Sequence, residues 1–266
     1  MAKQTGILPL EGTIGNVTFY KTKAGYLARQ KGGVDGRRIA TDPAFQRTRE
    51  NGSEFGRAGK ASKLLRTAFR ALLLTASDSY LASRLTAAMV KVIRADATNV
   101  RGQRNVIDGE AELLSGFEFN PAGRLGGTLY APFTPAINRV SGALTVFIPP
   151  FIPVNMLAAP AGATHFKIVA AGAEVNFEAD QFVYGAAASE QLEINATATA
   201  ELNLSIEVTP NSTNPLFVVL GIEFYQQVNG SLYSLKNGAY NALAIVMVSG
   251  ATAIAEGTPP ATPPAP

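Results

Sequence analysis

Leu202-Asn203-Leu204-Ser205-Ile206-Glu207-Val208 sets an apolar residue at every even position and a polar one at every odd position. A period of two belongs to a β-strand with one dry face and one wet face. A few residues on, Leu216 to Tyr225 is apolar on both faces through Phe217 to Leu220, which predicts a central strand covered on both sides. Working outward, short β-prone runs recur at Leu144 to Ile148, Thr164 to Ala170, Glu174 to Phe177, Leu192 to Ala200, Gly230 to Leu235 and Leu243 to Val248, punctuated by Pro, Gly and Asn. Short strands at such spacing predict an antiparallel β-sandwich, Ig-like or jelly-roll-like, over residues 123–255.

The first 122 residues read differently. Gly12 to Gly33 holds two β-prone runs, in which Val17, Phe19 and Lys21 alternate with Thr18 and Tyr20, and Gly25 can supply the positive φ that a short turn needs. This predicts a β-hairpin, too small to stand alone, with Val17, Phe19, Tyr20 and Tyr26 as the residues of an arm. Asp42-Pro43 predicts a helix start, with aspartate as cap and proline at the first helical position. A second helix is expected over Gly59 to Thr75, with Leu64, Leu65, Ala68, Phe69, Leu72 and Leu73 on one face and Lys60, Lys63, Arg66 and Arg70 on the other. A third follows Ser77-Asp78-Ser79, carrying Leu81, Leu85, Met89, Val92 and Ile93 as its buried stripe. Gly116 to Gly123 reads as a strand closed by a turn, which puts a domain boundary near it. The expected class is therefore α+β: residues 1–122 form a basic hairpin-plus-helices assembly domain, residues 123–255 an acidic sandwich, and residues 256–266 a proline-rich, polyproline-like tail.

Charge divides the chain at nearly the same place. Met1 to Val106 carries 19 Lys and Arg against 7 Asp and Glu, a balance of +12; Ile107 to Pro266 carries 4 against 13, a balance of −9. The formal net charge of +3 conceals this asymmetry. A basic part of this size faces an anion, and the candidates are nucleic acid, an acidic membrane or an acidic protein surface, including that of another copy of the same chain.

Catalytic chemistry has little to work with. The chain has no cysteine and one histidine, His165, which removes thiolate metal sites and cysteine nucleophiles and leaves no second imidazole for a metal set. Gly56-Arg-Ala-Gly-Lys60-Ala-Ser62 lacks the glycine and hydroxyl spacing of a phosphate-binding loop, and no Gly-x-Ser-x-Gly turn exists. Asp108, Glu110 and Glu112, spaced by two, cannot share one helix face and read as a charged linker. No cofactor and no small-molecule substrate follow. The uncharged stretch Asn237 to Ala255 is interrupted by Asn and Gly and reads as a final strand, so membrane insertion is not expected. No classical secretion signal is visible, and the final location is open.

The segments Gly12-Thr-Ile-Gly-Asn-Val-Thr-Phe-Tyr-Lys-Thr-Lys-Ala-Gly-Tyr-Leu-Ala-Arg-Gln-Lys-Gly-Gly33 and Asp42-Pro-Ala-Phe-Gln-Arg-Thr-Arg-Glu-Asn51 resemble uncharacterised proteins common in Bacteroidota, over roughly the first 120 residues. The resemblance implies a bacterial source and a shared architecture, and it supplies no function and no site residues. The candidate contact residues come instead from the basic cluster Arg37, Arg38, Arg47, Arg49, Arg57, Lys60, Lys63, Arg66 and Arg70, in which arginine suits bidentate contact with carboxylate or phosphate. The expectation is a self-assembling structural subunit of a filament, tube or phage-like particle rather than an enzyme. A nucleic-acid-binding protein and a surface adhesin stand as the alternatives.

Overall fold

A computed structural model describes residues 1–6, 8–30 and 32–251, so the proline-rich tail expected at 256–266 lies outside the described residues. Two compact units are present, residues 1–50 and residues 51–266.

In the first unit the expected hairpin forms as β3 (Val17–Thr22) and β4 (Gly25–Gln30), after β1 (Ala2–Lys3) and β2 (Gly12–Ile14). Gly25 has φ +111°, a region open to glycine but strained for other residues. The hairpin is not bare: β1 and β2 flank it, giving an antiparallel sheet in the order β1-β4-β3-β2. A short helix, α1 (Gly36–Thr41), then leads to a 3₁₀ turn at Pro43–Phe45. As Asp42-Pro43 predicts, the Asp42 carboxylate accepts from Ala44 N at 2.9 Å and proline sits at the first position.

Two of the expected helices are one. α2 (Gln46–Ala68) runs through Gly52, Gly56 and Gly59 without a break, and its first five residues belong to the first unit. Each glycine costs only about 1 kcal/mol relative to alanine. The apolar positions that follow, Ala58, Ala61, Leu64, Leu65 and Ala68, are all buried and offset that cost. α3 (Arg70–Leu73) continues the path, and α4 (Leu81–Arg94) buries Leu81, Leu85, Met89, Val92 and Ile93, the stripe read from the sequence. Asp78 accepts from Tyr80 N at 3.1 Å and pairs with Arg84 at 2.7 Å just before α4.

Beyond α4 come α5 (Leu125–Thr128), β5 (Thr134–Asn138), β6 (Ala143–Ile148), α6 (Pro153–Met156), β7 (His165–Asn176), β8 (Gln181–Ala188), β9 (Leu192–Glu193), β10 (Leu202–Glu207), β11 (Leu216–Val228), β12 (Ser231–Ser234) and β13 (Ala242–Ser249). They form two antiparallel sheets. One is β10-β6-β5; in the other, β11 and β7 are central, β12 and β13 pair with β11, and β8 and β9 pair with β7. The alternating stretch at 202–208 is β10, with Leu204, Ile206 and Val208 buried and Asn203, Ser205 and Glu207 exposed. The doubly apolar stretch is β11, central as predicted.

The buried residues fall into two clusters, one on each face of the larger sheet. Leu216, Val218, Leu220 and Ile222 join Leu144, Val146, Ile148, Leu204 and Ile206 of the smaller sheet. Phe217, Val219, Ala171, Ala173, Val175, Leu243 and Ile245 join Leu65, Phe69, Leu85, Met89 and Ile93 of the helices. The boundary expected at 122/123 therefore does not coincide with the division at 50/51. From residue 51 onward the helices and β11 share one core, because the odd-numbered side chains of β11 have nothing else to pack against.

The same packing explains two misread strands. β7 was expected as two pieces, broken by the weak β-former run Ala170-Ala171-Gly172-Ala173. A Cβ on Gly172 would lie 2.3 Å from Leu144 Cδ1, so small residues are what let the two sheets approach. β8, with its Gly185-Ala186-Ala187-Ala188 end, escaped the sequence reading for the same reason. Conversely, Leu192 to Ala200 is a strand only at Leu192–Glu193.

Two buried carboxylates make stability depend on pH. Burial pushes the Asp96 carboxyl up, but hydrogen bonds from Asn99 N, Asn99 Nδ2, Asn105 N and Thr98 N outweigh it and leave its pKa below the ordinary value. At Glu174 burial again acts upward, and donors from Ser212 Oγ (2.6 Å), Asn214 Nδ2 (2.8 Å) and Thr209 N (3.2 Å) bring it below normal. A folded pKa below the unfolded one contributes stability above the unfolded value, near pH 4, that is lost as pH falls through the folded value. Urea midpoints are expected to be flat from pH 7 to about 5 and to drop below about 4. Asp96→Asn and Glu174→Gln should each start lower and drop less; an unchanged acid limb in both would rule these carboxylates out as its source.

Candidate functional site

The nine basic residues of the sequence cluster divide by what holds them. In the first unit Arg38 pairs with Asp42 at 3.0 Å and lies over the Phe45 ring, and Arg47 pairs with Glu50 at 2.9 Å. Arg49 Nη1 donates to the carbonyls of Ile39 (2.7 Å) and Asp42 (2.9 Å), fixing α1 against the start of α2. In the second unit Arg57 Nη1 donates to the carbonyls of Gly102 (2.6 Å) and Arg104 (3.0 Å), while the buried Glu54 accepts from Gly102 N at 2.8 Å. These four arginines hold backbone or a carboxylate. Arg66 is half-buried, and Arg37, Lys60, Lys63 and Arg70 are exposed.

Lys60 and Lys63 line a groove of about 320 Å³ with Leu64, Thr67 and Asp180. A second groove of about 210 Å³ runs from Arg57 and Lys60 to Asn105, Phe177 and Glu178. Both lie between α2 and the β7–β8 turn. Each sets lysine or arginine beside a carboxylate of the turn, which suits a protein surface of mixed sign better than a continuous row of phosphates.

The arm residues occupy the middle of the first unit's sheet. Val17, Phe19 and Tyr20 lie on β3 and Tyr26 on β4, all half-buried. Lys21 lies over the Tyr26 ring, Arg29 over the Tyr20 ring, and Tyr20 Oη donates to Met1 Sδ. β1 pairs with Leu27 and Ala28 of β4, and β2 with Val17, Thr18 and Phe19 of β3, so the hairpin edges are covered along these stretches and β1 and β2 are the outer strands of the sheet. The sequence reading did not single those out.

No residue of the described part of 1–50 is buried. Leu8 (82% exposed), Leu10 (47%) and Ile14 (64%) recur at intervals of two or four along the segment that leads into and through β2. A unit of this size with no fully buried residue among those described has only half-buried side chains to offset its backbone ordering, which costs about 1–2 kcal/mol per residue. Comparison with protein-family models, curated proteins and solved structures gave no match. The functional reading rests on this geometry.

The residues weighed for other chemistry have ordinary partners. His165 Nδ1 lies 3.0 Å from Thr164 Oγ1 at the start of β7. Asp108 accepts from Asn99 and Asn105 side chains, and Glu112 from Gly250 N, so this acidic run serves different parts of the chain. Gly56 to Ser62 lies inside α2. Among the described residues no helix is long and apolar enough to cross a membrane.

Proposed function

We propose that the chain is a structural subunit of a homopolymer, a filament, tube or phage-like particle, in which residues 1–50 make contacts between copies. The observation that carries this reading is that no described residue of the first unit is buried, beside its exposed Leu8, Leu10 and Ile14. An apolar, strand-forming surface of this kind is stabilised only by a partner. Charge supplies the partner's character. Residues 1–50 hold 9 Lys and Arg against 4 Asp and Glu, while residues 107–266 carry the −9 balance, so unlike parts of two copies attract. In this reading the two sheets of the second unit make a β-sandwich, Ig-like or jelly-roll-like, with one edge meeting residues 1–50 of a neighbouring copy and the remainder displayed outward. A contact between two different surfaces does not close on itself and propagates as a helical assembly.

Purified protein is expected to form regular polymers in negative-stain images and to scatter light at low ionic strength. The scattering should fall as salt shortens the screening length from about 10 Å at 0.1 M to about 3 Å at 1 M. Protein that stays monomeric at high concentration and low salt rejects the proposal. If duplex or single-stranded nucleic acid is instead retarded on a gel by the monomer, with affinity falling steeply in salt, the exposed Arg37, Lys60, Lys63 and Arg70 contact phosphate.

A further inference from the structure

Sheet edges are aggregation hazards, and proteins cover them, shorten them or place charge and proline on them. In the second unit most edges follow that rule. The outer side of β13 is closed by the segment 116–119, through Gly116 N to Ile245 O (2.7 Å), Ile245 N to Phe117 O (3.0 Å) and Phe119 N to Leu243 O (2.8 Å). β5 has five residues and contains Pro135, β12 has four, and β10 carries Glu207. β8 is the exception. Its sequence Gln181-Phe-Val-Tyr-Gly-Ala-Ala-Ala188 has no charge and no proline, it pairs with β7 alone among the described residues, and it exposes Phe182 (39%) and Val183 (43%) at its first half, while Gly185 packs against Ile206 and Glu207 of β10.

The first unit holds a segment of matching character. Leu8, Leu10, Gly12 and Ile14 alternate along the chain, and β2 is the last strand of its sheet. Pro9 has no N–H, and the Gln4 side chain already engages Leu10 N (2.9 Å) and Leu10 O (3.2 Å). New backbone pairing therefore falls on Glu11–Ile14, with Leu8 and Leu10 adding side-chain contact. At about 3.3 Å per residue the four residues Glu11–Ile14 span about 13 Å, the length of the four residues Gln181–Tyr184 at the start of β8. The donor sheet carries Lys21 and Arg29 and the donor segment itself carries Glu11, while Glu178, Asp180 and Glu190 flank β8, so the charge attraction comes from the sheet's cations and not from residues 8–14.

We infer that residues 8–14 of one copy add as a strand to the open edge of β8 in a second copy. This rests on the assembly reading above and names its contact. Main-chain hydrogen bonds supply the attraction, and side chains on alternate positions set the register.

The absence of cysteine makes the test direct. Thr13→Cys is combined in turn with Val183→Cys, Ala186→Cys and Ala188→Cys, and each double variant is oxidised under assembling conditions. At least one pair is expected to give a ladder of disulfide-linked multimers on a non-reducing gel, where the single variants give none. A Val183→Lys variant should keep its thermal midpoint and raise the concentration needed for assembly about tenfold. Assembly that persists with no ladder from any pair and no effect of Val183→Lys overturns the inference and leaves the assembly reading standing, as does a disulfide closed within one chain. Wild-type protein that does not assemble removes both.

Discussion

Phe217→Ala is expected to destabilise the second unit by about 3–5 kcal/mol, the range for deleting a fully buried aromatic ring. Phe217 is wholly buried on β11, between Ala173 of β7 and Val248 of β13, and meets Phe177 edge-on at 6.3 Å. It belongs to the cluster that holds Leu65, Phe69, Leu85 and Met89 of the helices. The variant therefore measures more than one side chain. If helices and sheet share a core, urea should remove the helical circular-dichroism signal and the near-ultraviolet aromatic signal together, in wild type and variant, with the variant's midpoint shifted for both. Helices that melt at an unshifted midpoint would mean that residues 51–122 are stable apart from the sheet.

Arg139→Met is expected to cost about 3 kcal/mol, because it leaves several carbonyls without a donor and takes a cation from beside two carboxylates. Arg139 Nη1 donates to Ser212 O (2.7 Å) and Asn214 O (2.9 Å); Nη2 donates to Ser249 O (2.9 Å) and to Gly250 O. One planar fork thus ties the end of β5 to the 212–214 loop and to the end of β13. Glu174 and Glu112 both act on it electrostatically. Arg139→Lys should recover little, since an ammonium on a flexible stem cannot reach four carbonyls at once. A urea midpoint within error of wild type for the methionine variant would show that these bonds contribute nothing net.

The sequence reading placed the expected contacts in the basic cluster, and the structure holds four of those arginines within the fold. Arg38, Arg47, Arg49 and Arg57 look free in a linear reading, yet each finds a partner within the fold, because a carboxylate three or four residues away or a loop carbonyl far along the chain is invisible to composition. Leu8 and Leu10 read in the sequence only as part of an apolar run too short for a signal peptide, and Ile14 only as part of the hairpin stretch, because three leucines or isoleucines so placed are common. They acquire meaning only once they are found exposed in the fold. The open edge of β8 was beyond reach for another reason: an alanine-rich strand has weak β-propensity, and its state is set by β7 alongside it.

What the sequence by itself determined is whatever depends on neighbours a few residues apart. That covers the alternation that makes β10, the doubly apolar run that makes β11, the stripes of α2 and α4, the Asp42-Pro43 start and the Gly25 turn. Tertiary structure alone decided what those faces meet. Both faces of β11 are apolar, and a central strand so covered fits helices or a second sheet equally well; here it has one of each. That choice draws the line at residue 50 rather than 122, since a boundary falls where shared buried surface ends, and shared burial is a property of contacts far apart in the chain.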